Sequence, residues 1–208
     1  MTKKILITGF EPFGGEAINP SLEAVMSLPD HMGDVVIKKM SLPVVFGRSA
    51  SVLRDMLNED EFDAVICVGQ AGGKPNINIE RIAINIDDTK SPDNEGFVPN
   101  DMPICTEGPA AYFATLPIKE IVANLVKANI PVVVSNTAGT YVCNHVMYEA
   151  LHYAAQRRPQ MKVGFVHIPY LPEQVLDKNN VPSMPLENII EALIVIVKTV
   201  FKIMSLHF

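Results

Sequence analysis

The 208-residue sequence has few cysteines, and their spacing does not suggest a cross-linked scaffold. There are three of them, an odd number without a CxxC pair, which argues against a disulfide framework and a zinc knuckle. The first apolar run, at residues 5–7, is followed by Glu11 and Pro12, too soon for the core of a signal peptide. We therefore expect a cytoplasmic protein, because free thiols stay reduced in that compartment.

Basic runs and apolar runs of membrane length are also missing. Lys and Arg number 17 against 23 Asp and Glu, a formal net charge of −6, so the composition gives no support for nucleic-acid binding. Residues 189–208 are rich in Ile, Val and Leu, but Glu191, Lys198 and Lys202 interrupt them and leave no stretch long enough to cross a bilayer. We expect no membrane partner and predict a helix here that the fold or a partner subunit buries.

The overall pattern of the chain is that of an α/β protein. Hydrophobic residues make up 48% and charged residues 19%, which is typical of a globular chain, and the length suits one domain over residues 1–208. Strand-like runs at residues 4–8, 35–42, 64–68, 131–135 and 163–168 alternate with helix-like segments at 47–58, 117–129, 141–157 and from about 185. A further helix begins at Asn19-Pro20-Ser21. This alternation predicts a twisted, mostly parallel mixed sheet with helices on both faces.

Two stretches in the middle of the chain depart from that alternation. Along residues 77–86, two sets of side chains alternate with a period of two. This pattern indicates a strand or a hairpin-like ribbon that adds antiparallel strands. Residues 87–109 form a long polar stretch with several prolines and glycines. A loop of this length in a compact domain is often functional.

Cys143 is the most informative residue of the sequence. It follows the predicted strand 131–135 and a short loop, and it precedes a helix. A thiol at such a junction lies near the positive end of the helix dipole, which favours the thiolate, and the free backbone N–H groups suit an oxyanion. An inert structural cysteine is the alternative. Cys67, inside an apolar strand, is interpreted as a core residue, and Cys105 is given no role.

A cysteine nucleophile needs a base, and the sequence offers five histidines. They are His31, His145, His152, His167 and His207. The first and the last are interpreted as incidental. His145 is two residues beyond Cys143, where helical side chains do not face each other, and His152 is more than two turns away. His167 ends the strand 163–168, and sites in open α/β sheets gather at the carboxyl ends of strands, so it is the best candidate.

The base in turn needs an acceptor that orients it. Glu80 stands in a run otherwise filled largely with Ile and Asn, where a carboxylate is costly if it is buried without a partner. An ion pair with Arg81 or a solvent-facing position would also explain this residue. The rival carboxylates, which the sequence alone does not exclude, are Asp87, Asp88, Asp93 and Asp101.

Two glycine-rich segments follow predicted strands, at residues 9–15 and 69–73. Neither has the spacing of a dinucleotide-binding fingerprint or of a phosphate-binding loop. Both are interpreted as loops in which the backbone approaches a ligand closely. Phe10 and Phe13 in the first segment form either an apolar wall of a site or plain core.

Six segments, in order along nearly the whole chain, together resemble the pyroglutamyl peptidases of type I. They are TGFEPFGG (8–15), GQAGG (69–73), ERIAIN (80–85), PDN (92–94), SNTAGTYVCNH (135–145) and GFVHIPYLPEQ (164–174). Each segment alone is a weak signal, but the combination is specific.

This resemblance implies a cysteine exopeptidase that removes an N-terminal pyroglutamyl residue from peptides through a thioester acyl-enzyme. The catalytic set that it implies is Glu80, Cys143 and His167, the residues favoured above. It implies no metal or other cofactor, a single α/β domain and a homo-oligomer, commonly a tetramer. The implied substrate-binding residues are Phe10, Phe13, Tyr141 and Val142 around the lactam ring, Gln70 at its polar edge, Asn19 supporting the loop, and Lys90.

The sequence departs from the family pattern at two of these positions. Lys90-Ser91 stands where the family often has Arg-Ile, so the charge is kept but the planar guanidinium is lost. Tyr141 stands where phenylalanine is common. Two alternative functions stay open: a thiol amidase acting on another small cyclic amide, and a lactam-binding protein without turnover.

Overall fold

A seven-stranded mixed sheet organises residues 2–203, the part of the chain that this computed structural model describes. The strands are β1 (Lys3–Phe10), β2 (His31–Met32), β3 (Val35–Leu42), β4 (Ala64–Gln70), β5 (Ile77–Glu80), β6 (Ile82–Ile84), β7 (Ala111–Phe113), β8 (Val132–Ser135) and β9 (Lys162–Ile168). The helices are α1 (Pro20–Met26), α2 (Arg48–Glu59), α3 (Ile118–Lys127), α4 (Val142–Arg157) and α5 (Leu186–Phe201), with a 3-10 turn at Pro172–Val175. None of the helices in residues 2–203 is both long and apolar enough to span a bilayer.

The strand order across the sheet is β2-β3-β1-β4-β9-β5-β8. Strands β3, β1, β4 and β9 run parallel to one another, and β5 and β8 run parallel to each other but opposite to that group. β2 pairs antiparallel with β3, and β6 and β7 form a separate antiparallel pair. The predicted α/β fold with a mostly parallel mixed sheet is confirmed.

Helices cover both faces of the sheet, as predicted. Successive side chains of a strand point to opposite faces, so Ile5 and Ile7 join one core with α1, α3 and α5, while Leu6 joins the other with α2 and α4. Each central strand is therefore buried on both sides, which explains its unbroken apolar sequence. Cys67 is fully buried in the second core, where the sequence analysis placed it.

Two parts of the chain refine the sequence prediction. The ribbon predicted at residues 77–86 is divided at Arg81, whose backbone N–H donates to the Ser135 carbonyl (2.8 Å) between β5 and β6. The C-terminal helix α5 buries Ile189, Leu193 and Ile196 in the first core, so the fold itself covers its apolar face. His207 lies outside the described residues.

Helix α1 is held tightly against the end of β1. Asn19 caps the helix, because its Oδ1 accepts from the backbone N–H of Ser21 (3.1 Å). The Ser21 hydroxyl accepts from the backbone N–H of Phe10 (2.9 Å). This close contact requires Gly9, because a Cβ atom there would lie 2.6 Å from the Ser21 carbonyl oxygen. The helix start therefore sets the position of Phe10.

We predict that Gly9→Ala lowers the free energy of unfolding by about 3 kcal/mol, because rigid backbone of α1, not a flexible side chain, occupies the space of the new methyl group. Denaturant unfolding measures the change. Glu23→Ala, on the exposed side of the same helix, is the control and should change the free energy by about 0.5 kcal/mol or less. Equal stability of the two variants would contradict this account of the β1–α1 contact.

Candidate active site

A cavity of about 430 Å³ opens beside the ends of β1, β4, β5 and β9 and the start of α4. Its wall is largely apolar, with polar side chains among the lining residues. The apolar and aromatic lining residues include Phe10, Phe13, Val44, Ala138, Tyr141 and Val142. The polar ones include Asn19, Gln70, Lys74, Asn78, Glu80, Cys143 and His167. A mostly apolar cavity with a few polar groups is typical of a small-molecule site.

Cys143 lies in the first turn of α4, where the sequence predicted it. The N-cap residue Tyr141 makes no side-chain hydrogen bond to this helix, so the N–H groups of the first turn have no side-chain cap, and Val142 and Cys143 in that turn line the cavity. The sulfur also lies close to β4, because a Cβ atom on Gly69 would come within 3.0 Å of it. Gly69 is a residue of the strand rather than of a loop, and it leaves room for the thiol.

His167 and Glu80 form a buried pair next to this sulfur. The imidazole Nδ1 lies 2.8 Å from Glu80 Oε1, and the sulfur of Cys143 lies close enough to the imidazole to raise its pKa. Glu80 is only 2% exposed and His167 8%. The second carboxylate oxygen of Glu80 has no hydrogen-bond partner among the described residues. Glu80 therefore depends on the imidazole for compensation of its charge.

The surroundings of His167 favour its protonated form. Burial by itself lowers the pKa of this imidazole, but the sulfur of Cys143 and then Glu80 outweigh burial and raise the pKa to about 9. An imidazolium between a sulfur and a carboxylate is the arrangement that holds a cysteine thiolate. Burial raises the pKa of Cys67 to about 12, so that thiol is protonated and chemically inert.

The structure brings Cys143 and His167 together by a different route from the predicted one. The prediction relied on a shared carboxyl edge of the sheet, but β8, which precedes Cys143, runs opposite to β9. Glu80 pairs with Ser135 on one side and with Phe165 on the other, so it lies alongside β9 rather than beyond its end. The loop 136–141 then leads to the start of α4 on the face that holds the imidazole.

Six of the seven predicted substrate-binding residues line the cavity, and Lys90 does not. Phe10, Phe13, Asn19, Gln70, Tyr141 and Val142 are lining residues. The Lys90 side chain is exposed in the loop 87–109. In the same loop, the Pro92 carbonyl accepts a hydrogen bond from the Tyr141 hydroxyl (2.9 Å). The hydroxyl that distinguishes this tyrosine from phenylalanine thus ties the loop to the cavity wall.

Several supporting residues were not found from the sequence. Asn144, next to the nucleophile, accepts from the Ile84 N–H (3.0 Å) and donates to the Ile84 carbonyl (2.9 Å), which fixes α4 against β6. His145 Nδ1 lies 2.7 Å from Asp87 Oδ2, so that rival carboxylate belongs to a different histidine. Asp93 accepts from the Phe46 N–H and stabilises the loop. Such contacts between distant segments have no local sequence signal.

Comparison with known proteins identifies the family of this chain. A family model described as pyroglutamyl peptidase matches residues 3–203. The chain is 54% identical to a pyrrolidone-carboxylate peptidase of Thermosipho africanus over 199 residues, which covers 96% of this chain and 97% of the relative. It is also 54% identical over 199 residues to a pyrrolidone-carboxylate peptidase of Thermococcus onnurineus, covering 96% of this chain and 99% of that one. The chain belongs to the pyroglutamyl peptidase family.

Solved structures of pyroglutamyl peptidases show the same fold. The pyroglutamyl peptidase I of Bacillus amyloliquefaciens matches with a TM-score of 0.93 and 46% identity, covering 96% of this chain and 95% of that one. A mutant pyrrolidone carboxyl peptidase of Pyrococcus furiosus matches with a TM-score of 0.93 and 45% identity, covering 96% and 98%. The fold and the family are therefore established together over almost the entire chain.

We predict that His167 titrates near pH 9 and is protonated at neutral pH. Its midpoint should fall in Glu80→Gln and in Cys143→Ala, since each removes a group that stabilises the imidazolium. Because the folded-state pKa lies above the ordinary value of 6.5, this pair stabilises the fold below about pH 6.5, and the contribution is lost as the pH rises through about 9. Ring-proton NMR titration measures the midpoint, with His167→Gln for assignment. A midpoint at or below 6.5 would contradict the prediction.

Proposed function

We propose that this chain is a cysteine exopeptidase that hydrolyses the bond after an N-terminal pyroglutamyl residue and releases pyroglutamate from peptides. The observation that carries the proposal is the contact of Cys143 with the buried His167–Glu80 pair at the edge of an apolar cavity. Family membership over residues 3–203 supports it. We further propose that residues 1–208 act as one peptidase domain.

The first chemical step is the attack of the Cys143 thiolate on the pyroglutamyl carbonyl carbon. A sulfur–carbon bond forms and the carbonyl becomes an oxyanion, for which the N–H groups of the first turn of α4 are the nearest uncapped donors. The His167 imidazolium then gives its proton to the leaving nitrogen as the carbon–nitrogen bond breaks. The products of this step are a thioester and the shortened peptide.

Hydrolysis of the thioester completes the cycle. The neutral imidazole of His167 takes a proton from water while the water oxygen attacks the thioester carbonyl. The carbon–sulfur bond breaks, pyroglutamate leaves, and the thiolate–imidazolium pair forms again. Glu80 keeps the ring in one orientation and stabilises the imidazolium each time it appears.

The cavity suits an acyl group whose nitrogen carries no charge. A pyroglutamyl residue has its amino nitrogen closed into a neutral lactam, so an aromatic wall accepts it without burying an ammonium ion. Phe10, Phe13 and Tyr141 supply that wall, and Gln70 supplies a polar group at its edge. A prolyl group has the same ring size, but its ring nitrogen is charged and it lacks the lactam carbonyl. It should therefore bind poorly.

We predict that Cys143→Ser lowers turnover of a chromogenic pyroglutamyl amide by more than about a thousandfold, because a serine hydroxyl is not ionised by this imidazole. Cys105→Ser is the matched control and should retain wild-type turnover, since Cys105 does not line the cavity. Circular dichroism checks that both variants fold. Iodoacetamide should abolish the activity of the wild type and of Cys105→Ser.

Full turnover by Cys143→Ser would refute the assignment of the nucleophile. Equal turnover of pyroglutamyl and prolyl amides would favour an amidase for other small rings. Slow alkylation of Cys143 together with lactam binding but no turnover would indicate a binding protein instead of a peptidase.

We also propose that the chain works in the cytoplasm as a homo-oligomer, and as a tetramer by analogy with the family. All three thiols are free, which fits a reducing compartment. Large apolar side chains such as Phe113 (67% exposed) and Leu176 (87% exposed) are available to a second copy. We predict that sedimentation equilibrium gives about four times the monomer mass of 22.8 kDa. A concentration-independent monomer would contradict this.

A further inference from the structure

Gln174 is a buried glutamine behind the cavity wall whose amide has a defined orientation. It lies in the 3-10 turn Pro172–Val175 and is 6% exposed. Its Oε1 accepts from the backbone N–H of Leu171 (3.0 Å). A backbone N–H only donates, so the oxygen of this amide must face Leu171 and the nitrogen must face the opposite side.

The opposite side of the Gln174 amide contains only acceptors. Its Nε2 lies 3.0 Å from Gln70 Oε1, 3.3 Å from Glu16 Oε2 and 3.4 Å from the Ile18 carbonyl oxygen. Lys178 Nζ lies 3.0 Å from the other oxygen of Glu16, so this carboxylate is also ion-paired. Both ends of the Gln174 amide are therefore matched to their neighbours, and a flip of this amide would place like groups together at both ends.

This orientation decides which polar group Gln70 presents to the cavity. Gln70 lines the cavity, and its oxygen is occupied by the hydrogen bond from Gln174. Within the described residues its Nε2 donates to no protein acceptor, so the amide group left for a ligand is a donor. A five-membered lactam has one strong acceptor, its ring carbonyl, which such a donor matches.

We propose that Gln174 is a positioning residue for substrate recognition: it fixes the Gln70 amide so that a hydrogen-bond donor, and not an acceptor, meets the lactam carbonyl. The inference rests on the proposed function for the identity of the ligand. Gln174 is not in contact with the substrate and acts through Gln70. With the Gln70 amide reversed, two oxygens would face each other in a largely apolar cavity, and such a mismatch costs binding strongly.

The decisive variant is Gln174→Glu. The new carboxylate can still accept from Leu171, but its other oxygen faces the Glu16 carboxylate and has no hydrogen to offer Gln70. Gln70 must then turn its own N–H group toward the new carboxylate and its oxygen toward the cavity. We expect KM for a pyroglutamyl amide and Kd for 2-pyrrolidone to rise about tenfold near pH 8, with kcat changed about twofold or less. 2-Pyrrolidone has the lactam ring without a scissile bond, so NMR titration measures its binding independently of turnover.

Two further measurements separate positioning from a general structural effect. In a Gln70→Met background, Gln174→Glu should add no further rise in Kd, because the residue through which it acts is gone. Near pH 5 the ratio of variant to wild-type Kd should shrink, since burial beside the Glu16 carboxylate favours protonation of the new carboxyl, which regains a donor for Gln70. Gln174→Met, which cannot orient Gln70 at all, should raise Kd about threefold. Gln174→Met also tests the proposal if Gln174→Glu fails to fold.

The controls test charge and the nucleophile. Gln160→Glu introduces the same charge at an exposed glutamine away from the cavity and should leave Kd unchanged. The rate of Cys143 alkylation should be the same in wild type, Gln174→Glu and Gln174→Met, because the sulfur and His167 are not touched.

Three outcomes would overturn this inference: an unchanged Kd in both Gln174 variants, an equal rise in Kd in the Gln70→Met background, or no binding of 2-pyrrolidone to the wild type. Failure of the proposed function is distinguishable from these. In that case the wild type would not hydrolyse pyroglutamyl amides, while the Kd comparison would still decide how the Gln70 amide is held.

Discussion

The contact on which the site depends is the buried pair of Glu80 and His167. A carboxylate that is 2% exposed, with one oxygen unpaired, is unfavourable unless a positive charge lies beside it. The imidazolium provides that charge, and the sulfur of Cys143 stabilises the imidazolium from the other side. Removing one member therefore leaves the others without compensation. The three residues therefore form a single electrostatic unit, on which the proposed reaction depends.

Two glycines and one asparagine side chain help to position this unit in the fold. Gly69 leaves space for the sulfur beside β4, and Gly9 allows α1 to approach β1 so that Phe10 forms part of the wall. Asn144 fixes the first turn of α4 to β6 directly after the nucleophile. The glycines and the asparagine lie in segments that resemble the family, which gives a physical reason for those residue types at those places.

Much of the fold could be predicted from the sequence, because strands buried on two faces and capped helices have local signals. Asn19-Pro20 marked the start of α1, and residues 35–42 matched β3. Cys143 and His167 could be selected from their places at the ends of elements, although β8 runs opposite to β9 and the shared carboxyl edge does not exist. Lys90 was placed near the substrate by resemblance, but it faces solvent. Gln174 could not be selected, since its role depends on neighbours about 100 or more positions away in the chain.

Two histidine–carboxylate pairs have hydrogen bonds of nearly equal length, and each pair joins a carboxylate that precedes Cys143 in the chain to a histidine that follows it. Only one of the two histidines can act as the base in the proposed reaction. His145 meets Asp87 at 2.7 Å, and its Nε2 accepts from the backbone N–H of Gly47 (3.2 Å). A backbone N–H only donates, so that nitrogen is committed to structure and has no free lone pair for a substrate proton. The imidazole of His167 instead lies beside the sulfur of Cys143 on the wall of the cavity. The proposed base is therefore distinguished by the surroundings of its imidazole, which a histidine–carboxylate distance alone does not reveal.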